Sequence, residues 1–212
     1  PTCHHALMKL ANGVSFLKSA PPSPGSGAAM RAAPIGMIFA CEADARFSDS
    51  LLQASLTHDH PDAQAAALAM AEAVAFLVRM HQRPFSRDSF LETLKDAVQD
   101  HSPALAKALE TLPQRPKDLS DDALDTVPAA LSLFLQHRDN LPAALMAATA
   151  TGGPTDTLAS MVGALAGAYL GLEAIPSPWL DRVRIRSRLD RAAQGLNILG
   201  NARWVCLEGP AR

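Results

Sequence analysis

Apolar positions along this chain recur at spacings of three and four, the period of helices packed on one face. The clearest case is DAQAAALAMAEAVAFLVRMHQ, Asp62 to Gln82, with no glycine inside and with Pro61 and Pro84 at its borders. It predicts about six turns of helix. HHALMKLANGVSFLKSA reads as a short helix, with Ala6, Leu7, Leu10, Val14 and Leu17 near helical spacing. SDSLLQASLTHDHP reads as another that ends in a polar corner. In SRDSFLETLKDAVQDH, Ser86 stands three before Ser89, and Ser89 to Glu92 has capping-box spacing. SPALAKALETL is amphipathic, with Pro103 in its first turn. ALDTVPAALSLFLQHRD and NLPAALMAATAT predict two further helices, each with a proline near its start. TDTLASMVGALAGAYLG is a long run with no charge after Asp156, and PSPWLDRVRIRSRLDRAAQGL follows it. Only RVRIRSR alternates like a strand, and its surroundings favour helix; the tail from Asn197 is ambiguous. The sum is roughly eight to ten helices without a solenoid repeat. That is an all-α fold, a compact multi-helix bundle, with residues 1–212 as one domain.

Composition supports this picture. Hydrophobic residues make up 48% of the chain and charged residues 19%, and much of the apolar content is alanine. Alanine and leucine are the strongest helix formers. A net charge of −2 argues against a general nucleic-acid or membrane field. The longest uncharged runs, Thr157 to Leu172 among them, are 16 residues, short of the ~20 that span a bilayer. Cys3, Cys41 and Cys206 are scattered and odd in number, so neither a disulfide framework nor a zinc site is expected. With no secretory signal visible, the cytoplasm or an organellar matrix is expected rather than secretion. The chain begins at Pro1, which points to processing or to a piece of a longer protein.

The candidate chemistry lies where the helices break. PPSPGSG, Pro21 to Gly27, must be a loop, and small loops with free N–H groups can cradle phosphate or ribose. Arg31 behind it either forks onto an anion or anchors the loop through carbonyls. THDHP puts His58 and His60 around Asp59; a zinc site needs more ligands, and a solvated helix-end corner is the plainer reading. Asp156 stands where the long uncharged helix starts. There a carboxylate either satisfies the helix terminus or, with a neighbouring threonine hydroxyl, offers oxygen to a hard cation. Gly163, Gly167 and Gly171 recur every four residues and suggest close helix packing. The connector QRPKDLSDD reads as polar surface. Five arginines in RVRIRSRLDR read as a solvated or partner-facing patch, since no aromatic interleaves them.

The order of these segments carries more than any one alone. SGAAMRAAPIG, then SLTHDHPDAQAAALAMAEAVAFLV, then GGPTDTLASMVGALAGAYLGLEAIPSPWLDRV resembles the ADP-ribosylglycohydrolase family over about Ala6 to Arg191. That family includes the enzyme that removes ADP-ribose from dinitrogenase reductase. The resemblance implies an all-α fold and a cleft with two Mg²⁺ ions. It implies hydrolysis of the bond between ADP-ribose and a protein side chain, commonly arginine or serine. By the same resemblance Ser23, Gly25, Ser26 and Gly27 line the ADP-ribose site, His58 lies near it, and Asp156 and Thr157 bind metal.

Two departures qualify that inheritance. The family's late motif places an aspartate where this chain has Pro154, which offers no side-chain oxygen. The family's N-terminal segment, with its Thr-Asp-Asp metal ligands, has no counterpart before Ala6. Ser120–Asp122 imitates that run in composition only. Two Mg²⁺ ions need several carboxylates. The expectation is therefore a family member with a degraded metal site, acting as a binding or structural subunit. A protein partner is expected to cover the surface of the absent N-terminal region. The alternatives are an active Mg²⁺-dependent hydrolase and a sensor for ADP-ribose or a related nucleotide. No nucleic acid is expected as a partner.

Overall fold

A computed structural model describes residues 2–80 and 84–208. Among them lie eleven α-helices. The first four are α1 (Thr2–Ala11), α2 (Ala33–Ile38), α3 (Ala43–Ser55) and α4 (Pro61–Arg79). Then come α5 (Arg87–Val98), α6 (Pro103–Glu110), α7 (Ala123–His137) and α8 (Leu141–Thr149). The last are α9 (Thr155–Leu170), α10 (Ser177–Leu180) and α11 (Arg186–Glu208). The expected all-α class holds, with one more helix than the sequence pattern suggested.

The central element is α4. Every residue from Ala65 to Leu77 is buried, and α2, α3, α5, α7 and α9 all pack on it. Alanine makes this possible: small side chains on all faces let five neighbours approach one helix. By length and composition alone α4 is apolar enough to cross a membrane, but 78% of that stretch is buried against the bundle. Its one buried acid, Glu72, is held by Arg46 of α3 at 2.7 Å. Arg46 also donates to the carbonyls of Phe39 and Ala40, so its charge is fully engaged. Phe76, Phe85, Phe90, Phe134 and Tyr169 stack mostly edge-on where α4, α5, α7 and α9 meet.

Side-chain caps mark the starts of α4 to α8. Side-chain oxygens of Ser86, Ser102, Asp122 and Asn140 accept first-turn N–H groups of α5 to α8. The cap of α5 is thus Ser86, not Ser89. His60 does the same for α4 through Nδ1.

Several local expectations need correction. The first predicted helix ends at Ala11, because Gly13 takes a left-handed φ of 79° and a 3₁₀ turn follows at Phe16–Lys18. Pro128 lies inside α7 rather than at its start. RVRIRSR is turn leading into α11, and the ambiguous tail continues that helix to Glu208. The glycine spacing in α9 does not mark close packing. A Cβ on Gly163 would touch only Leu145 at 3.4 Å, and one on Gly167 would meet nothing within 4 Å. Gly171, at φ 80°, ends the helix. The close approach is at Gly36, where a Cβ would lie 2.3 Å from the Ala71 carbonyl of α4.

Candidate functional site

The glycine loop is held by a segment that sequence reasoning treated as mere connector. Ser26 donates from N–H and hydroxyl to the Asp121 carbonyl, at 3.0 and 3.2 Å. Ala123 N–H donates to the Pro24 carbonyl at 2.9 Å, and Gly25 and Asp122 form an isolated antiparallel bridge. The same connector grips the turn before α9. Asp118 N–H donates to the Thr151 carbonyl at 2.9 Å. Gly152 and Gly153 both take left-handed φ, 77° and 71°. A Cβ on Gly153 would sit 2.2 Å from the Leu119 carbonyl. Residues 118–122 therefore tie together two loops that lie more than a hundred positions apart in sequence.

Between those loops is a cleft of about 410 Å³. Gly25, Ser26, Gly27, His58, Asp156 and Thr157 all line it, with Pro154 beside them. Ser23 is not on its lining; its hydroxyl accepts from Gly25 N–H at 3.3 Å and pairs with Thr2 Oγ1. Thr2, Cys3 and His4 of α1, together with Met30 and Asp121, complete the wall. Sequence reasoning missed these five. For Asp121 the only signal was the acidic pair in the connector, which needed the loop bridge to become meaningful.

Asp156 does not cap its helix. The N-cap of α9 is Pro154, which makes no side-chain cap bond, and Asp156 lies in the first turn with its side chain exposed. The N-terminal dipole favours a carboxylate there. The lining thus includes two acidic residues, Asp121 and Asp156, and no lysine or arginine.

Arg31, which was a candidate anion fork, is spent on anchoring. Its Nη1 donates to the Gly27 carbonyl at 3.2 Å, and its Nη2 to the Gln53 carbonyl at 2.8 Å. Nε donates to Gln53 Oε1 at 2.8 Å. Nη2 also reaches Thr57 Oγ1 at 2.6 Å, and Thr57 Oγ1 lies 2.8 Å from His58 Nδ1. His58 is not the solvated corner residue the sequence suggested. It is 1% exposed, and its pKa falls to about 4 through burial first and the nearby Arg31 charge second. At neutral pH it is an uncharged imidazole.

Among the described residues no three His, Cys, Asp or Glu side chains group to bind an ion. A two-Mg²⁺ centre does not fit that donor set. Asp156 and Thr157, adjacent on the cleft lining, are the residues that could offer oxygen to a hard cation.

A family model described as ADP-ribosylglycohydrolase matches residues 1–205. The chain is 29% identical to the ADP-ribosylhydrolase ARH3 of Gallus gallus, over 84% of this chain and 58% of that protein. It is 27% identical to the ADP-ribosylarginine hydrolase Tri1 of Serratia proteamaculans, over 92% of this chain and 53% of that protein. It spans, then, little more than half the length of these relatives. A solved structure titled ADP-ribosylglycohydrolase-related protein complex superposes with a TM-score of 0.74 and 28% identity, covering 94% of this chain and 69% of that one. Motif order, helical architecture and these matches agree: the chain belongs to the ADP-ribosylglycohydrolase family.

Proposed function

We propose that this chain binds ADP-ribose, free or on a protein side chain, in the cleft between the glycine loop and the start of α9, and does not cleave it efficiently. The observation that supports this reading is the contrast within one cleft. The loop, His58 and the α9 turn are all in place, while the metal donors come down to Asp156, Thr157 and Asp121.

Each part has a role in that proposal. Gly25, Ser26 and Gly27 bring backbone close to the ligand, and glycine at 27 lets the loop pack directly against the His58 ring. Asp121 and Asp156 repel a pyrophosphate unless a cation lies between them, since like charges in a shared cleft oppose binding. One Mg²⁺ on Asp156 and Thr157, when bound, supplies that positive charge. Pro154 removes the carboxylate that would help hold a second ion. Metal-assisted hydrolysis needs its water positioned and activated, and the described residues do not build that centre.

The test is calorimetry with ADP-ribose, with and without Mg²⁺, beside an assay for ADP-ribose release from modified arginine and serine peptides. The reading expects saturable heat that strengthens with Mg²⁺ and release no faster than the uncatalysed rate. Release that is rapid and unchanged in Asp156→Ala would overturn the metal assignment.

A structural-subunit role is a second reading, and one observation favours it. Leu7 (58%), Met8 (50%), Phe16 (44%) and Leu17 (79%) are large apolar side chains exposed within the first eighteen residues. A protein partner over this face would bury it.

A further inference from the structure

We propose that Arg31 and Thr57 are positioning residues that fix the tautomer of His58, so that a neutral ring presents its Nε2–H to the cleft as a hydrogen-bond donor.

The argument follows the hydrogens. A guanidinium only donates. Its Nη2 lies 2.6 Å from Thr57 Oγ1, so that oxygen accepts from Arg31. Thr57 is 5% exposed, and His58 Nδ1, at 2.8 Å, is the one other partner of its hydroxyl among the described residues. If Nδ1 carried a proton, Thr57 would accept twice and its own O–H would be buried without an acceptor, an unfavourable arrangement. The hydroxyl therefore donates to Nδ1. An uncharged imidazole with an accepting Nδ1 carries its proton on Nε2.

The geometry points that proton at the site. His58 lines the cleft and is itself 1% exposed, and Nε2 has no hydrogen-bond partner among the described residues. Cβ atoms built on Gly27 and Gly25 would lie 3.3 and 3.6 Å from Nε2. Side chains at either position would crowd Nε2, so the two glycines preserve the narrow access that this nitrogen has from the cleft. The lowered basicity of the ring agrees, because burial and the adjacent Arg31 both oppose a second proton.

Arg31 is well fixed for this task. It bonds Gly27 O, Gln53 Oε1, Gln53 O and Thr57 Oγ1 together, with a weaker contact to Cys3 Sγ at 3.5 Å. One side chain thereby sets both the loop and the donor beside it. The consequence is selectivity for an acceptor: a phosphate or ribose oxygen satisfies Nε2–H, whereas an ammonium or amide N–H does not. That last step rests on the proposed ADP-ribose reading; the tautomer does not.

The experiment is ¹⁵N–¹H correlation of the histidine rings in the labelled chain at neutral pH, with His58 assigned by its loss in His58→Gln. The expected pattern is protonated Nε2 and unprotonated Nδ1. In Thr57→Val the ring should shift toward a mixture of tautomers, and ADP-ribose affinity should fall about tenfold, the scale of one lost hydrogen bond. Thr57→Ser, which keeps the hydroxyl, should preserve both and serves as the folded control. A protonated Nδ1 in the unaltered chain, or an unchanged tautomer in a folded Thr57→Val, would overturn the proposal. The expected tautomer in a chain that gives no heat with ADP-ribose supports the positioning role and overturns the ligand reading instead.

Discussion

At the scale of single residues, His58 and Gly153 shape the cleft. His58 should stay uncharged throughout the neutral range, since its pKa is lowered to about 4. The sign for stability follows. The unfolded chain binds the His58 proton near 6.5 and the folded chain only near 4, so between these values the unfolded state holds more protons. Stability should rise with pH through that window and be lost as pH falls through it. Thermal melts of the chain and of His58→Gln across pH 4 to 7 check this: the variant should lose that part of the pH dependence. Gly153 is the other decisive residue. Its φ of 71° and the 2.2 Å approach to Leu119 leave no room for a side chain. Gly153→Ala should cost about 2–4 kcal/mol in denaturant unfolding, a strain-plus-clash magnitude.

Residue chemistry was unevenly legible in the sequence. Asp156, Thr157, Gly25, Ser26, Gly27 and His58 were marked by motif order, and they share one cleft. Asp121 was not, because its place depends on a bridge between segments almost a hundred residues apart. The burial of His58 was also hidden. A Thr-His-Asp-His corner looks solvated until Arg31, from another turn, reaches Thr57.

At the scale of elements, helix identity was largely written in the apolar period, while side-chain caps mark only the starts of α4 to α8. What the pattern misjudged was glycine. Two glycines in helices with opposite surroundings test that point. Gly36→Ala should force α2 off α4 and cost about 2–3 kcal/mol, because its Cβ would meet the Ala71 carbonyl and Val74. Gly167→Ala meets nothing and should stabilise the chain by roughly 0.5–1 kcal/mol, the helix-propensity gain. Urea unfolding of the two variants separates them; equal effects would show that the α9 stripe is a packing face after all. A spacing of four is visible in sequence, but the neighbour that makes it a close contact is not.

At the scale of the whole molecule, an alanine-rich central helix lets five others gather, and the connector at 118–122 then joins two loops into one cleft. The subunit reading proposes a protein partner over the exposed apolar residues of α1 and the 3₁₀ turn after it. Native mass measurement on material from its own source should therefore show a complex, and a stable free monomer would count against the subunit reading. The central claim is binding without efficient cleavage. Its most direct measurement is a calorimetric titration of an ADP-ribosylated arginine peptide into the chain with Mg²⁺ present. The account predicts a saturable isotherm whose baseline returns after each injection, with the peptide recovered intact. No heat at millimolar peptide, or a sustained heat of turnover with released ADP-ribose, would contradict it.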